Sequence, residues 1–327
     1  MKKKIRIIGS GFYVPERILT NADLEKMVDT SDEWIMTRTG IKERHIVSDS
    51  QATSDLAIEA SHRALKDAGL EIEDIDLIMV ATSTPDTIFP STACRVQEGL
   101  KINHAPAFDI SAGCTGFLYG MIVSESLIIN GTCRRILLVG GEVLTKITNW
   151  KDRSTCVLFG DAAGAVILEE TTGESGMLSY YWKADGSLGE LLNQPAGGTR
   201  IPASHESIDQ DLHCLHMKGN EVFKHAVKRM GEAALEALQK AGLKKNDVDF
   251  LIPHQANIRI IEATGKRLNL PPEKVYSNID RYGNVSVASI PIALHELKTE
   301  GCLKTGDIVV MDAFGAGFTW AAVVYRW

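Results

Sequence analysis

The chain has 327 residues, 44% of them hydrophobic and 24% charged, with a formal net charge of −7. That length exceeds what one hydrophobic core usually supports, so two core units are expected, and the composition excludes a disordered or fibrous chain. The negative balance argues against a nucleic-acid binder dominated by phosphate contacts, and no apolar run approaches the length of a membrane span.

Met1-Lys2-Lys3-Lys4 is followed by Ile5-Arg6-Ile7-Ile8, which meets Gly9 too soon to form the apolar stretch of a signal peptide, so a cytoplasmic location is expected. Gly9-Ser10-Gly11 begins like a dinucleotide-binding turn, but Val14 stands where the third glycine of G-x-G-x-x-G belongs. No nicotinamide or flavin cofactor is expected. The six cysteines, at 94, 114, 133, 156, 214 and 302, include no C-x-x-C pair and read as reduced thiols.

Residues 60–80 and 233–253 align without gaps. Ala64, Leu65, Ala68, Gly69, Leu70, Asp74 and Asp76 fall on Ala237, Leu238, Ala241, Gly242, Leu243, Asp247 and Asp249, so residue 68 maps onto 241 at an offset of 173. Each copy predicts an amphipathic helix stopped by a C-terminal glycine, then a turn and a buried strand. Gly113-Cys114 and Gly283-Asn284, both predicted to open helices, keep nearly that offset, as do the strands Ile136–Val139 and Ile308–Met311. The chain therefore reads as a tandem duplication, residues 1–172 and 173–327. Each half is expected to hold a mostly parallel sheet, with the two sheets packed around shared helices.

Three segments carry chemistry. Cys114 lies in Phe108-Asp109-Ile110-Ser111-Ala112-Gly113-Cys114-Thr115-Gly116, a small-residue turn between a strand and a helix. Free backbone N–H groups and the helix dipole there favour a thiolate. His254 follows the second-repeat strand, before a polar Gln255-Ala256-Asn257 turn, and Asn284 sits in Tyr282-Gly283-Asn284-Val285-Ser286, where it also suits a helix N-cap. Approximate two-fold packing of the halves would bring the three together at their junction. A cysteine nucleophile with a His and an Asn implies covalent acyl chemistry through a thioester. A Cys-His-Asn hydrolase would use the same residue types. Phe314-Gly315-Ala316-Gly317-Phe318 predicts a tight loop with exposed N–H groups, suited to closing an oxyanion hole with the N–H of Cys114. His213-Cys214-Leu215-His216 offers potential metal ligands, but it follows the polar stretch 203–211 with no second ligand cluster, so a surface loop and no metal are expected.

From end to end the chain resembles the β-ketoacyl-acyl-carrier-protein synthase III family, the initiating condensing enzymes of type II fatty-acid synthesis within the thiolase-like superfamily. The resemblance rests on the three segments above, on Thr30-Ser31-Asp32-Glu33-Trp34-Ile35-Met36-Thr37-Arg38-Thr39-Gly40-Ile41, on Asp152-Arg153-Ser154-Thr155 and on Gly160-Asp161-Ala162-Ala163-Gly164-Ala165. Elongating relatives pair the cysteine with two histidines, thiolases carry a second cysteine in the C-terminal Gly-rich loop, and chalcone-synthase-like chains are typically longer. None of these patterns is present here.

The resemblance implies an α/β thiolase-like fold, a duplicated five-layer αβαβα sandwich. It implies condensation of an acyl-CoA primer with malonyl-acyl-carrier protein, with no cofactor beyond the coenzyme A thioester itself; a related enzyme of secondary metabolism is the alternative. His254 and Asn284 would stabilise the enolate. Trp34 and Arg153 would hold the adenine of coenzyme A and Arg38 its phosphates, while Gly219, Asn220, Phe223 and Asn257 would line the tunnel to Cys114. On the helix predicted to begin near Ala256, Arg259 and Lys266 share a stripe opposite Ile261, Thr264 and Leu268, suiting an acidic carrier protein. Phe89, in Thr87-Ile88-Phe89-Pro90-Ser91, would cross a homodimer interface and cap the partner's acyl pocket.

Overall fold

Two mixed β-sheets, each covered on both faces, organise the computed structural model, which describes residues 3–327. In chain order the strands are β1 (Lys4–Tyr13), β2 (Arg17–Thr20), β3 (Glu43–Ile46), β4 (Leu77–Ala81), β5 (Ala107–Ile110), β6 (Arg135–Val143), β7 (Asp161–Thr171), β8 (Gly176–Ala184), β9 (Leu192–Asn193), β10 (His216–Met217), β11 (Phe250–Pro253), β12 (Ile308–Gly315) and β13 (Thr319–Arg326). The helices are α1 (Asn21–Leu24), α2 (Asp32–Thr39), α3 (Thr53–Ala68), α4 (Thr92–Gly99), α5 (Gly116–Ile129), α6 (His205–Asp209), α7 (Gly219–Ala241), α8 (Ile258–Arg267), α9 (Ile279–Tyr282) and α10 (Ser289–Thr299).

The first sheet runs β1-β7-β6-β4-β5 and the second β8-β13-β12-β11. Position by position they match: β6 and β4 are parallel, as are β12 and β11, while β7 and β13 run antiparallel to both neighbours. Where β5 extends the first sheet, Val275 makes an isolated parallel bridge to Leu251 of β11. The sheets are thus mixed, not mostly parallel. Residues 316–318 alone join β12 to β13, and so short a connection permits only an antiparallel pair.

The sequence repeat has a physical counterpart. Helices α3 and α7 both end on a left-handed glycine, Gly69 at φ 63° and Gly242 at φ 71°. The Asp74 and Asp247 carboxylates then accept from the N–H groups of Glu71 and Lys244, closing equivalent turns. Asp76 accepts from the N–H groups of Arg134 and Arg135, and Asp249 from that of Ile308, so each clamps its own strand to the next. The repeated aspartates are structural fasteners.

Five layers follow from what each helix buries. Phe117, Leu118, Met121 and Ile122 of α5 and Ile290, Ala293, Leu294 and Leu297 of α10 share one core with Met79 and Leu138 of the first sheet and Met311 and Val323 of the second. On the outer face of the first sheet lie Leu56, Ala60 and Ala64 of α3 and Val96 of α4; Met230, Ala234 and Ala237 of α7 and Ile260 of α8 cover the second. The order is therefore α3/α4, sheet, α5/α10, sheet, α7/α8. Among the described residues no helix is long and apolar enough to cross a membrane. All six cysteines are free, with Cys133, Cys156 and Cys214 buried.

Gly9 and Gly11 prove to be packing residues. A Cβ on Gly9 would lie 2.5 Å from the Ala64 carbonyl oxygen, and one on Gly11 would lie 2.5 Å from the Ala64 nitrogen, so α3 rests directly on the backbone of β1. Gly11→Ala is expected to lower the unfolding free energy in urea by about 1–3 kcal/mol through overpacking. Gly186→Ala, where an added Cβ meets nothing within 4 Å, should change it by less than about 0.5 kcal/mol. Equal effects would contradict this account of the close approach.

Candidate active site

Cys114 sits in the 3-10 turn Gly113–Thr115 between β5 and α5, His254 directly after β11, Asn284 between α9 and α10, and Ala316 between β12 and β13. Contributions from both halves thus meet in one cavity of about 390 Å³, lined by all four residues.

Backbone contact sets the floor of this cavity. A Cβ on Gly315 would lie 2.4 Å from the Cys114 nitrogen, and one on Gly113, at φ 54°, would lie 2.8 Å from the Ala316 nitrogen. Only glycine permits the two chain segments to come this close. The amides of Cys114 and Ala316 are thereby neighbours, and Ala316 holds its place without a positive φ.

Buried His254 is held at both ends: its N–H donates to the Asp312 carbonyl at 2.7 Å, and its Nδ1 lies 2.8 Å from Ser289 Oγ at the start of α10. Burial pushes its pKa down to about 4, so the ring is neutral at pH 7. With the Ser289 hydroxyl donating to Nδ1, Nε2 carries the proton. Asn284 Oδ1 accepts from the Ser286 N–H at 2.9 Å, which leaves its Nδ2 free to donate. The site can therefore present two neutral N–H donors.

Cys114 departs from expectation. Burial pushes its thiol up to about 11, outweighing a hydrogen bond from Ser286, and the nearby Glu142 carboxylate raises it further. The resting group is a thiol, because desolvation of the charged form exceeds what one helix terminus offsets. Asp312, buried beneath the histidine, has both carboxyl oxygens without a partner among the described residues and a pKa pushed by burial up to about 8.

Two guanidinium groups lie over the Trp34 ring, Arg38 at 5.7 Å and Arg153 at 5.1 Å from its centroid. Trp34 and Arg38 line the cavity. Arg153 is not among the lining residues; its Nη1 donates to the Asp29 carbonyl at 2.6 Å and pairs with that residue's carboxylate. Gly219, Asn220 and Phe223, from the first turns of α7, line the wall. Asn257 caps α8, accepting from the Arg259 N–H, and donates its amide to the Arg38 carbonyl, joining α8 to α2. Arg259 lies over the Phe223 ring at the cavity, whereas Lys266 is exposed, 3.7 Å from Glu262. Phe89 is 83% exposed and its neighbour Ile88 78%.

Sequence reasoning missed the apolar lining, including Leu144, Ile147, Leu192, Met217 and Met230, which comes from separate runs that show no joint signal in one dimension. It also misplaced the end of the 203–216 region. Residues His205–Asp209 form the short, mostly exposed α6, in keeping with a surface segment, but Cys214 is buried and Leu215 lines the cavity, so the end of the segment turns inward. Asp211, unconsidered in sequence, brings its ligand atom within 4.8 Å of those of His213 and Cys214, while His216 turns Nε2 to the Asp211 carbonyl.

Comparison with known proteins gives this geometry its family. Residues 108–186 match the family model for 3-oxoacyl-[acyl-carrier-protein] synthase III, and residues 238–327 match the model for its C-terminal part. The β-ketoacyl-[acyl-carrier-protein] synthase III of Caldanaerobacter subterraneus subsp. tengcongensis is 58% identical over 98% of this chain and 97% of its own. The crystal structure of the Aquifex aeolicus 3-oxoacyl-[acyl-carrier-protein] synthase III superposes at a TM-score of 0.91 with 49% identity, each chain covered completely. A priming β-ketosynthase of the R1128 polyketide pathway superposes equally well, at 0.91, with 32% identity over 99% of this chain and 96% of its own. This chain belongs to the β-ketoacyl-acyl-carrier-protein synthase III family of condensing acyltransferases and has its thiolase-like fold.

Proposed function

We propose that Cys114, His254 and Asn284 carry out the initiating condensation of fatty-acid synthesis, transferring an acyl group from an acyl-CoA primer, acetyl-CoA in the simplest case, to the decarboxylated malonyl unit of an acyl-carrier protein. The observation that carries this reading is the meeting, in one cavity, of a thiol, two adjacent backbone amides and two neutral N–H donors.

Cys114 Sγ attacks the primer thioester, its proton passing in the end to the departing coenzyme A sulfur, and the tetrahedral oxyanion is received by the amides of Cys114 and Ala316. The C–S bond to coenzyme A breaks, leaving acyl-Cys114 and free coenzyme A. Malonyl-carrier protein then enters, and His254 Nε2 and Asn284 Nδ2 donate to its thioester oxygen as carbon dioxide departs and an enolate forms. The enolate carbon attacks the acyl-Cys114 carbonyl and the C–S bond to Cys114 breaks, releasing β-ketoacyl-carrier protein and a Cys114 thiolate that takes up a proton from solvent to return to the resting thiol. Decarboxylation supplies the carbanion, so the reaction calls for no further cofactor.

Trp34, with its two guanidinium neighbours, suits the adenine of coenzyme A, and Arg38 its phosphates. Arg259 and Lys266 suit the acidic carrier, a local attraction on a chain of net charge −7. The higher identity to fatty-acid-type synthases than to the polyketide priming enzyme favours the former role. A cytoplasmic setting fits both.

Two measurements test this assignment. Cys114→Ala should form no acyl adduct with acetyl-CoA by mass spectrometry, whereas His254→Ala and Asn284→Ala should acylate but decarboxylate malonyl-carrier protein about 10²–10³-fold more slowly, the loss of one oxyanion-type donor. An adduct persisting in Cys114→Ala would overturn the nucleophile, and release of free acid from acyl-CoA with no primer-dependent carbon dioxide would favour hydrolysis. The exposed Phe89 motivates the second: a homodimer in which it closes the partner's acyl pocket. Phe89→Ala should shift kcat/KM toward longer primers, by roughly 1 kcal/mol or more per methylene. A monomeric active enzyme in sedimentation, or an unchanged length profile, would contradict it.

A further inference from the structure

Behind the nucleophile lies a group that the condensation scheme above leaves unused. Glu142 of β6 is fully buried. Its carboxylate accepts from Thr82 Oγ1 at 3.3 Å, from the Ser83 N–H at 3.1 Å and from Thr84 Oγ1 at 2.5 Å. Its remaining contact is Ser286 Oγ, 3.1 Å from Oε1, and the same Oγ lies 3.3 Å from Cys114 Sγ. Ser286 lines the cavity at φ 48°, a left-handed conformation uncommon outside glycine and characteristic of positions where surrounding structure enforces strain. Among the described residues Ser286 is the hydrogen-bond partner of the thiol, and His254 is engaged by Ser289 instead.

We propose that Glu142 is the proton acceptor for Cys114, acting through the Ser286 hydroxyl, an inference that rests on the acyl-transfer reading above. The one proton of the Ser286 hydroxyl faces two acceptors, Cys114 Sγ and Glu142 Oε1; in the arrangement where it goes to Glu142, a lone pair is left facing the thiol. As Sγ bonds to the primer carbonyl carbon, the thiol proton passes to Ser286 Oγ and the serine proton to Glu142 Oε1. The carbonyl electrons go to the oxyanion. When the adduct collapses, the C–S bond to coenzyme A breaks, and the departing sulfur, attached to the same carbon, takes the proton back from Glu142 through Ser286. The sum is thiol plus acyl-CoA giving acyl-Cys114 plus coenzyme A.

Two physical points support this direction. Burial pushes Glu142 up to about 7, in the range of a base near neutral pH, whereas His254 sits near 4. The Glu142 charge also opposes ionisation of Cys114, and moving the proton onto Glu142 removes that opposition. The elements around Glu142 present Thr82, Ser83 and Thr84 after β4, Ala162 of β7 and Ser286, with Cys114 the titratable group electrostatically linked to it. The acceptor works only when deprotonated, so Cys114 reactivity should rise with pH through about 7.

The test uses the intact enzyme and Glu142→Gln, which keeps shape and most hydrogen bonds but cannot take a proton, with Ser286→Ala as a second break in the relay should the first variant not fold. Alkylation of Cys114 by iodoacetamide and acylation by acetyl-CoA should both fall about 10²–10³-fold at pH 7.5, with the rise near pH 7 replaced by one at the higher pH where the thiol ionises. Condensation from enzyme acylated beforehand, which needs no proton removed from sulfur, should stay within about threefold in the same range of effects. Unchanged alkylation profiles, or equal loss in both half-reactions, overturn the relay. A shifted alkylation profile in an enzyme that makes no β-ketoacyl product would sustain the relay and overturn the functional reading instead.

Discussion

The site depends on one backbone approach, that of the Gly113–Cys114 turn against the Gly315–Ala316 turn. Each segment belongs to a different half, and each presents a glycine where a Cβ would strike the other's main chain. Because the contact is between backbones, the two amides are set by the packing of whole sheets rather than by rotamers. The central helices α5 and α10, buried between those sheets, hold that distance. Interiors packed at crystal-like density transmit such constraints with little give.

Burial sets the resting protonation state. The same burial raises Cys114, Glu142 and Asp312 and lowers His254, each toward its neutral form. The floor of the cavity, away from the lining Arg38 and Arg259, thus begins with little formal charge and a high sensitivity to any charge that develops. Hydrogen bonds in such a medium act more strongly than in water. This arrangement suits a reaction whose charged species, an oxyanion and an enolate, are transient.

Much of this was legible in one dimension because it is local. The repeated helix, glycine stop and strand are written in contiguous residues, and the structure returns them as α3–β4 and α7–β11. Small-residue turns likewise announced the Cys114 and Ala316 loops. The apolar wall was not legible, since Leu144, Met217 and Met230 meet only after folding. Nor was the thiol's protonation state: a helix start can be read from sequence, but the burial that outweighs it cannot. Glu142 reads in sequence as an ordinary polar residue closing a strand, and its meaning comes entirely from what folds over it. Strand direction was misjudged for a related reason, because the antiparallel partners β1 and β8 join their sheets from distant positions in the chain.

The duplication also gives the cavity a field. The chain entering α5 carries Cys114, and the chain entering α10 carries Asn284 and Ser286, so the amino-terminal ends of both central helices converge on the same cavity. Each such end bears a partial positive charge of roughly half an electron. Two of them, related by the internal symmetry, make the main chain itself a paired electrostatic sink. Single side-chain substitutions leave that sink in place.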